Sequence, residues 1–189
     1  MGVRIHRRVL SRFIRFCVCA TYSGCRIHRS VLIQGGTEIR ATDGGSVHIA
    51  AGCTISRGRR IIAKHGIVKI QHDTFIGHNC VLVANESIVI GPNGLIAEHV
   101  TIRDQDHGLR VGATPFSRQQ QKVSAVTVGS NVWLGAKSTL LRGVTIGDNS
   151  VIAAHALVRD DVGEGTLAAG VPARVIRSLE REEDGSSAR

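Results

Sequence analysis

His107 lies in the stretch Arg103-Asp104-Gln105-Asp106-His107-Gly108, directly after one carboxylate and three residues after another. A neutral imidazole suits proton removal near pH 7, and a neighbouring acceptor can hold its second nitrogen in the working tautomer. Asp104 or Asp106 could be that acceptor, and a main-chain carbonyl would serve equally. The stretch opens a polar segment that runs to Lys122. A segment of this length projecting from an ordered scaffold is expected to be a functional loop.

The scaffold is legible in the spacing of the aliphatic residues. They recur every six residues at Ile27, Ile33 and Ile39, then, after an insertion at Gly44 and Gly45, at Val47 and Cys53. Residues 57–69 break the pattern, which resumes at Ile70, Ile76 and Leu82, and again, shifted by two, at Ile90, Ile96 and Ile102. The last run is unbroken: Val128, Leu134, Leu140, Ile146, Ile152 and Val158. Helical stripes recur at about 3.6 residues and strand faces at about 2, so neither a helix nor a long strand explains this period. Short strands joined by tight corners do explain it. Three repeats close one coil, which must stack on neighbours to bury its faces, and the repeats suffice for about six coils. His72, His78, His99 and His155 fall at corner places of their repeats and read as solvated.

Composition agrees with this reading. The chain is 42% hydrophobic but only 3% aromatic, so β-branched and other aliphatic residues must fill the core. The net charge of +9 is concentrated: residues 1–30 hold seven Arg and no acid, which leaves +2 for the remainder. With no basic groove interleaved with aromatics, a nucleic-acid partner is not expected. The five cysteines have no C-x-x-C spacing and read as buried, reduced thiols of a cytoplasmic protein. Leu10, Phe13, Ile14 and Cys17 stand at helical spacing among Arg8, Arg12 and Arg15. Residues 1–23 are therefore expected to form a basic amphipathic helix that either caps the β-helix or lies on an anionic membrane. Arg12 and Arg15 interrupt its apolar run, so it reads as neither signal peptide nor anchor.

Three segments resemble the hexapeptide-repeat acyltransferases, in particular the maltose-, galactoside- and lipopolysaccharide-type sugar O-acetyltransferases. They are Ile96-Ala97-Glu98-His99-Val100-Thr101-Ile102 leading to His107, Val128-Gly129-Ser130-Asn131-Val132-Trp133-Leu134-Gly135-Ala136, and Ala168-Ala169-Gly170-Val171-Pro172-Ala173-Arg174-Val175-Ile176-Arg177. The resemblance implies an all-β, left-handed parallel β-helix over residues 24–166 with an inserted loop at 103–123. It implies a closing segment at 167–189 that includes a C-terminal helix and a frayed tail. A homotrimer is implied too, with acetyl-CoA as co-substrate, no metal, and a sugar-type or lipid-linked acceptor. By motif position His107 is then the base that takes the acceptor hydroxyl proton. Ala136 and Ala154 correspond to residues whose main chain meets the pantetheine arm, and Arg174 and Arg177 to those near the nucleotide phosphates. Relatives often carry Thr-Lys-Asp where this chain has Arg159-Asp160-Asp161, which leaves Arg159 to supply the missing charge. Asn85 stands where galactoside enzymes have an acceptor-binding Asp, and Asp104 and Asp106 are further candidates on the acceptor side.

Three other readings stay beside this one. Amino-group acetylation of a nucleotide sugar is the nearest variant, and a non-catalytic β-helix scaffold is the alternative outside catalysis. A zinc site of the gamma-class carbonic anhydrase type needs two histidines five residues apart on one coil, and no pair here has that spacing.

Overall fold

The computed structural model describes residues 2–180, with side chains from Arg8 onward. After one helix, α1 (Gly2–Thr21), the chain winds as a parallel β-solenoid whose three faces are sheets of short strands. The repeat dictates this geometry, because each aliphatic points inward and stacks on its equivalent one coil away. The first face stacks Ile27, Ile49, Ile70, Ile90, Val128 and Ile146. The second stacks Ile33, Ile55, Ile76, Ile96, Leu134 and Ile152. The third stacks Ile39, Ile61, Leu82, Ile102, Leu140 and Val158. Nearly all of these are 0–2% exposed, and each such side chain removed from water contributes about 1.5–3 kcal/mol. The corners need left-handed backbone, which Asp73, Asn93, Asn131 and Asn149 supply at one edge and Asn79, His99, Lys137 and His155 at the next. His99 and His155 are thus corner residues, as their repeat positions suggested.

The structure corrects the sequence reading at three places. Ile49 and Ile55, not Val47 and Cys53, occupy the ladder positions, although Val47 and Cys53 are buried beside them. Residues 57–69 are not irregular: Arg60–Lys64 is a five-residue strand that places Ile61 on the third face. Ile49, Ile55 and Ile61 keep the six-residue spacing, but the corners from Thr42 to Ser46 and from Lys64 to Ile67 are lengthened and shift the frame, and Arg59 occupies the corner column that other coils fill with Thr37, Cys80, Val100, Ser138 and Ala156. Finally, the expected C-terminal helix is absent from the described part of 167–189. Thr166–Gly170 and Ala173–Ser178 instead form an antiparallel hairpin on the second face, because its β-branched and alternating residues can continue the sheet from Val151–Ile152. The tail expected to fray, 181–189, lies outside the described residues.

α1 covers the open base of the solenoid. The first coil has no coil beneath it, so its downward-facing ladder groups need other partners. Ser11 Oγ supplies them, donating to the Val31 carbonyl at 3.0 Å and accepting from the Ile33 amide at 2.8 Å. Ile14, Val18, Cys19 and Tyr22 pack against the core from the same side. The five cysteines are free; burial pushes the Cys25 thiol up to about 11 and raises those of Cys53 and Cys80. Among the described residues no helix is long and apolar enough to cross a membrane.

Arg59 is the costly member of this core. It is fully buried, its Nη2 donates to the Ile76 carbonyl at 3.0 Å, and its Nε and Nη1 have no partner among the described residues. Burial pushes the guanidinium well below its ordinary value, down to about 10. Folding therefore carries the full penalty of the charge below about pH 10, and that penalty fades as pH rises above it. A depression of that size corresponds to about 3 kcal/mol. Arg59→Met keeps an unbranched chain and removes the charge, so it should raise the unfolding free energy at pH 7 by about 1–3 kcal/mol in urea titrations.

Candidate functional site

The chain leaves the solenoid after Thr101–Arg103 and returns at Val126–Val128, so the inserted loop starts and ends at one corner. This detour deprives the coil below of partners. In the earlier coils the amides at this corner find main-chain carbonyls one coil up: Ser46 donates to Gly66, and Ile67 to Glu86. For the next corner, at residues 85–87, the chain that should provide those carbonyls is in the loop. Asp104 takes over. Its carboxylate is 0% exposed and accepts the amides of Asn85 (2.8 and 3.0 Å), Glu86 (2.7 Å) and Ser87 (2.8 Å). Its carbonyl accepts the Ser124 amide at 2.9 Å, which closes the neck of the loop.

Two further contacts hold the loop root. Gln105–Asp106 pairs antiparallel with Lys122–Val123, and Asp106 Oδ2 receives Arg142 Nε from the coil above at 2.7 Å. The root is thus tied downward by Asp104 and upward by Asp106. His107 follows immediately, exposed, one residue beyond Gln105–Asp106, as Gln121 lies one residue before Lys122–Val123. Asn85 Nδ2 donates to Gln121 Oε1, which brings the acceptor-side candidate Asn85 to the same strand end as His107. Beyond it the loop encloses a recess of about 820 Å³ whose wall begins at Gly108 and includes Arg110, Arg118 and Lys122. Gln119 braces that loop, accepting the Arg110 amide at 2.9 Å and donating to the carbonyls of Arg110 (2.8 Å) and Thr114 (2.9 Å).

These contacts revise the roles expected for two aspartates. Asp104 is buried with both oxygens occupied by backbone, so it neither orients His107 nor meets an acceptor. Asp106 is engaged by Arg142, and neither carboxylate bonds the imidazole among the described residues.

The donor-side candidates fall into two groups. Ala136 and Ala154 occupy the same corner of adjacent coils, and the His155 amide donates to the Ala136 carbonyl at 2.9 Å. The coils pack closely just before this corner, where a Cβ on Gly135 would come within 2.5 Å of the Ala154 nitrogen. Asp160 draws Arg159 and Arg174 together, accepting Arg159 Nε at 3.4 Å and Arg174 Nη1 at 2.9 Å. Arg177 lies on the same terminal strand as Arg174 but outside that cluster, with Nη1 on the Ser178 carbonyl at 3.3 Å. Arg174 and Arg177 stand on a strand and not on the expected helix face. Sequence reasoning missed Gln119, Gln121, Arg142 and Asp160. Their roles come from cross-chain contacts that no local pattern announces.

The chain is 32% identical over 169 residues, which span 85% of it and 83% of its relative, to the Escherichia coli K12 protein named "Putative lipopolysaccharide biosynthesis O-acetyl transferase WbbJ". The chain belongs to the hexapeptide-repeat acyltransferases. Residues 125–160 of this acyltransferase also match the family model described as bacterial transferase hexapeptide (six repeats). The Escherichia coli K12 galactoside O-acetyltransferase is 37% identical over 116 residues, 59% of this acyltransferase and about half (54%) of that enzyme. Among solved structures, the polySia specific acetyltransferase NeuO superposes with TM-score 0.65 at 26% identity, covering 87% of this chain and 73% of that one. A galactoside acetyltransferase in complex with coenzyme A superposes with TM-score 0.57 at 27% identity, covering 86% and 68%.

Asp104 is the residue through which the acyltransferase holds its loop, so Asp104→Ala tests the geometry. It leaves the amides of Asn85, Glu86 and Ser87 without their buried acceptor. Unfolding free energy should fall by about 2–4 kcal/mol, read from the denaturant midpoint at constant slope.

Proposed function

We propose that the protein transfers the acetyl group of acetyl-CoA to a hydroxyl of a sugar or sugar-containing acceptor, with His107 as general base. The observation that carries this reading is the anchored loop root, which has an exposed histidine and the Asn85–Gln121 pair at the same strand end. A ring nitrogen of neutral His107 would take the acceptor's hydroxyl proton as the oxygen attacks the thioester carbonyl. The tetrahedral intermediate would then expel CoA sulfur, which takes the proton from the imidazolium, giving an acetyl ester and free CoA. Asn85 would orient the acceptor through its amide. The names of the galactoside, lipopolysaccharide and polySia relatives support a sugar acceptor, and the first two name an O-acetyl transfer, which favours oxygen as the acetylated atom.

For the donor, the Ala136–Ala154 corner would let the pantetheine arm lie close to the main chain, and Arg159, Arg174 and Arg177 would meet phosphate oxygens through charge-assisted hydrogen bonds. A donor of this kind would place the enzyme in the cytoplasm, where acetyl-CoA is made. We also read the working form as a homotrimer. Leu32, Phe75, Leu95 and Trp133 project from one register column of the second face, each 38–48% exposed, and the donor corner borders that face. A second copy seated on this column would bury it and wall the groove.

His107→Ala and Arg174→Ala should fail in different ways. Loss of the base should lower kcat by about 100- to 10,000-fold with acetyl-CoA affinity nearly unchanged. Loss of Arg174 should raise KM for acetyl-CoA by about tenfold and spare kcat, because the arginine contacts only the donor. A His107→Ala enzyme that keeps more than about a tenth of wild-type turnover would put the base elsewhere. For the trimer, Leu95→Lys should yield monomers by light scattering and weaken acetyl-CoA binding in the same samples. Monomers with undiminished affinity would exclude a donor groove shared between copies.

A further inference from the structure

α1 is apolar on two opposite faces, and capping the solenoid uses only one of them. Ser11, Ile14 and Val18 face the first coil. Val9, Phe13 and Phe16 follow at i, i+4 and i+7 and are 59%, 64% and 70% exposed, with Ala20 next in the same stripe. At about 100° per residue these four fall within about 60° of arc, diametrically opposite Ser11 and Val18. Because Ser11 bonds the downward-facing ladder groups of the first coil, Val9 and Phe13 point away from the solenoid, while Phe16 and Ala20 also border a recess of about 380 Å³ against Ile27.

The charge around the stripe selects what can cover it. Arg8 and Arg12 border it along one side of the helix, and Arg26 and Arg29 are exposed on the first coil, whose Arg29 carbonyl accepts Arg15 Nη1 of the helix at 2.7 Å. The first acidic residue of the chain is Glu38, which is already paired with Arg40 and Arg60. A second copy meeting this base would oppose cation to cation.

We propose that α1 docks the protein on an anionic lipid bilayer, with Val9, Phe13 and Phe16 entering the interface and Arg8, Arg12, Arg26 and Arg29 meeting the headgroups. Aromatic and aliphatic side chains on one face with arginines beside them suit a helix lying in the interfacial plane. The trimer proposed above would present three such helices and multiply a weak single contact; to that extent the inference rests on that reading.

The test uses purified full-length protein sedimented with vesicles of phosphatidylcholine alone or mixed with phosphatidylglycerol. At low salt, partitioning should be at least about tenfold higher on the anionic vesicles, and it should fall sharply as salt is raised to about 0.5 M. Phe13→Gln/Phe16→Gln should lose that binding while oligomeric state by light scattering and soluble turnover stay unchanged. Arg8→Gln/Arg12→Gln, which leaves every apolar contact in place, should weaken binding to anionic vesicles and flatten its salt dependence. Equal sedimentation with both vesicle types, or retained binding in both double variants, overturns the proposal. Dissociation of the oligomer in the phenylalanine variant overturns it too, since the stripe would then belong to a contact between copies. Absence of acetyl transfer by the wild-type protein is a separate result that leaves the vesicle comparison standing.

Discussion

A parallel solenoid must give every coil a partner for its main-chain amides, and the point where the chain departs into a loop is where that requirement is hardest to meet. Asp104 meets it with a side chain. One buried carboxylate replaces the carbonyls that a continuous coil would have placed above residues 85–87. A buried carboxylate is stable only when several donors reach it, and an amide corner left open is itself costly, so the two needs satisfy each other. The same residue closes the loop neck through its carbonyl. The scaffold's hydrogen-bond accounting and the anchoring of the loop root that carries His107 therefore meet at Asp104.

Corner chemistry carries the rest of the arrangement. Stacking requires left-handed residues at each turn, such as Lys137 and His155, and the edge beside them, which holds His78 and Glu98 in the coils below, narrows to Ala136 and Ala154 in the last two. The outward column Leu32, Phe75, Leu95 and Trp133 borders that edge. An apolar face beside an exposed backbone corner suits a groove shared between copies, which is why donor site and assembly are proposed together. The departure Arg159-Asp160-Asp161 acquires a physical sense as well. Asp160 holds Arg159 and Arg174 at one place, so the acid that replaces the usual lysine organises the cations instead of removing one.

The runs Ile70 to Leu82, Ile90 to Ile102 and Val128 to Val158 are readable because within each of them every sixth residue is aliphatic and the corners are short. The coil at 49–61 was obscured by Arg59, which stands in a column otherwise filled by small or apolar residues, and by a lengthened corner. The terminal strand Ala173–Ser178 resembles a helix in sequence because the segment alone lacks the register that Thr166–Gly170 provides. At the site, His107 was visible as a histidine in a broken repeat. The role of Asp104 was not, since a carboxylate beside a histidine looks like its orienting partner until the unpaired amides of the coil below are known. Gln121 and Arg142 act across 36 residues of sequence, on Asn85 and Asp106, and local spacing holds no trace of such contacts.

The central claim is that the anchored loop root delivers His107 to the acceptor hydroxyl. A crystal structure with CoA and an unreactive sugar acceptor bound together tests it most directly. The account predicts a His107 ring nitrogen about 3 Å from an acceptor hydroxyl oxygen, with the CoA sulfur beyond that oxygen and the pantetheine arm along Ala136 and Ala154. An acceptor hydroxyl held instead by His78 or His99, with His107 in solvent, would contradict it.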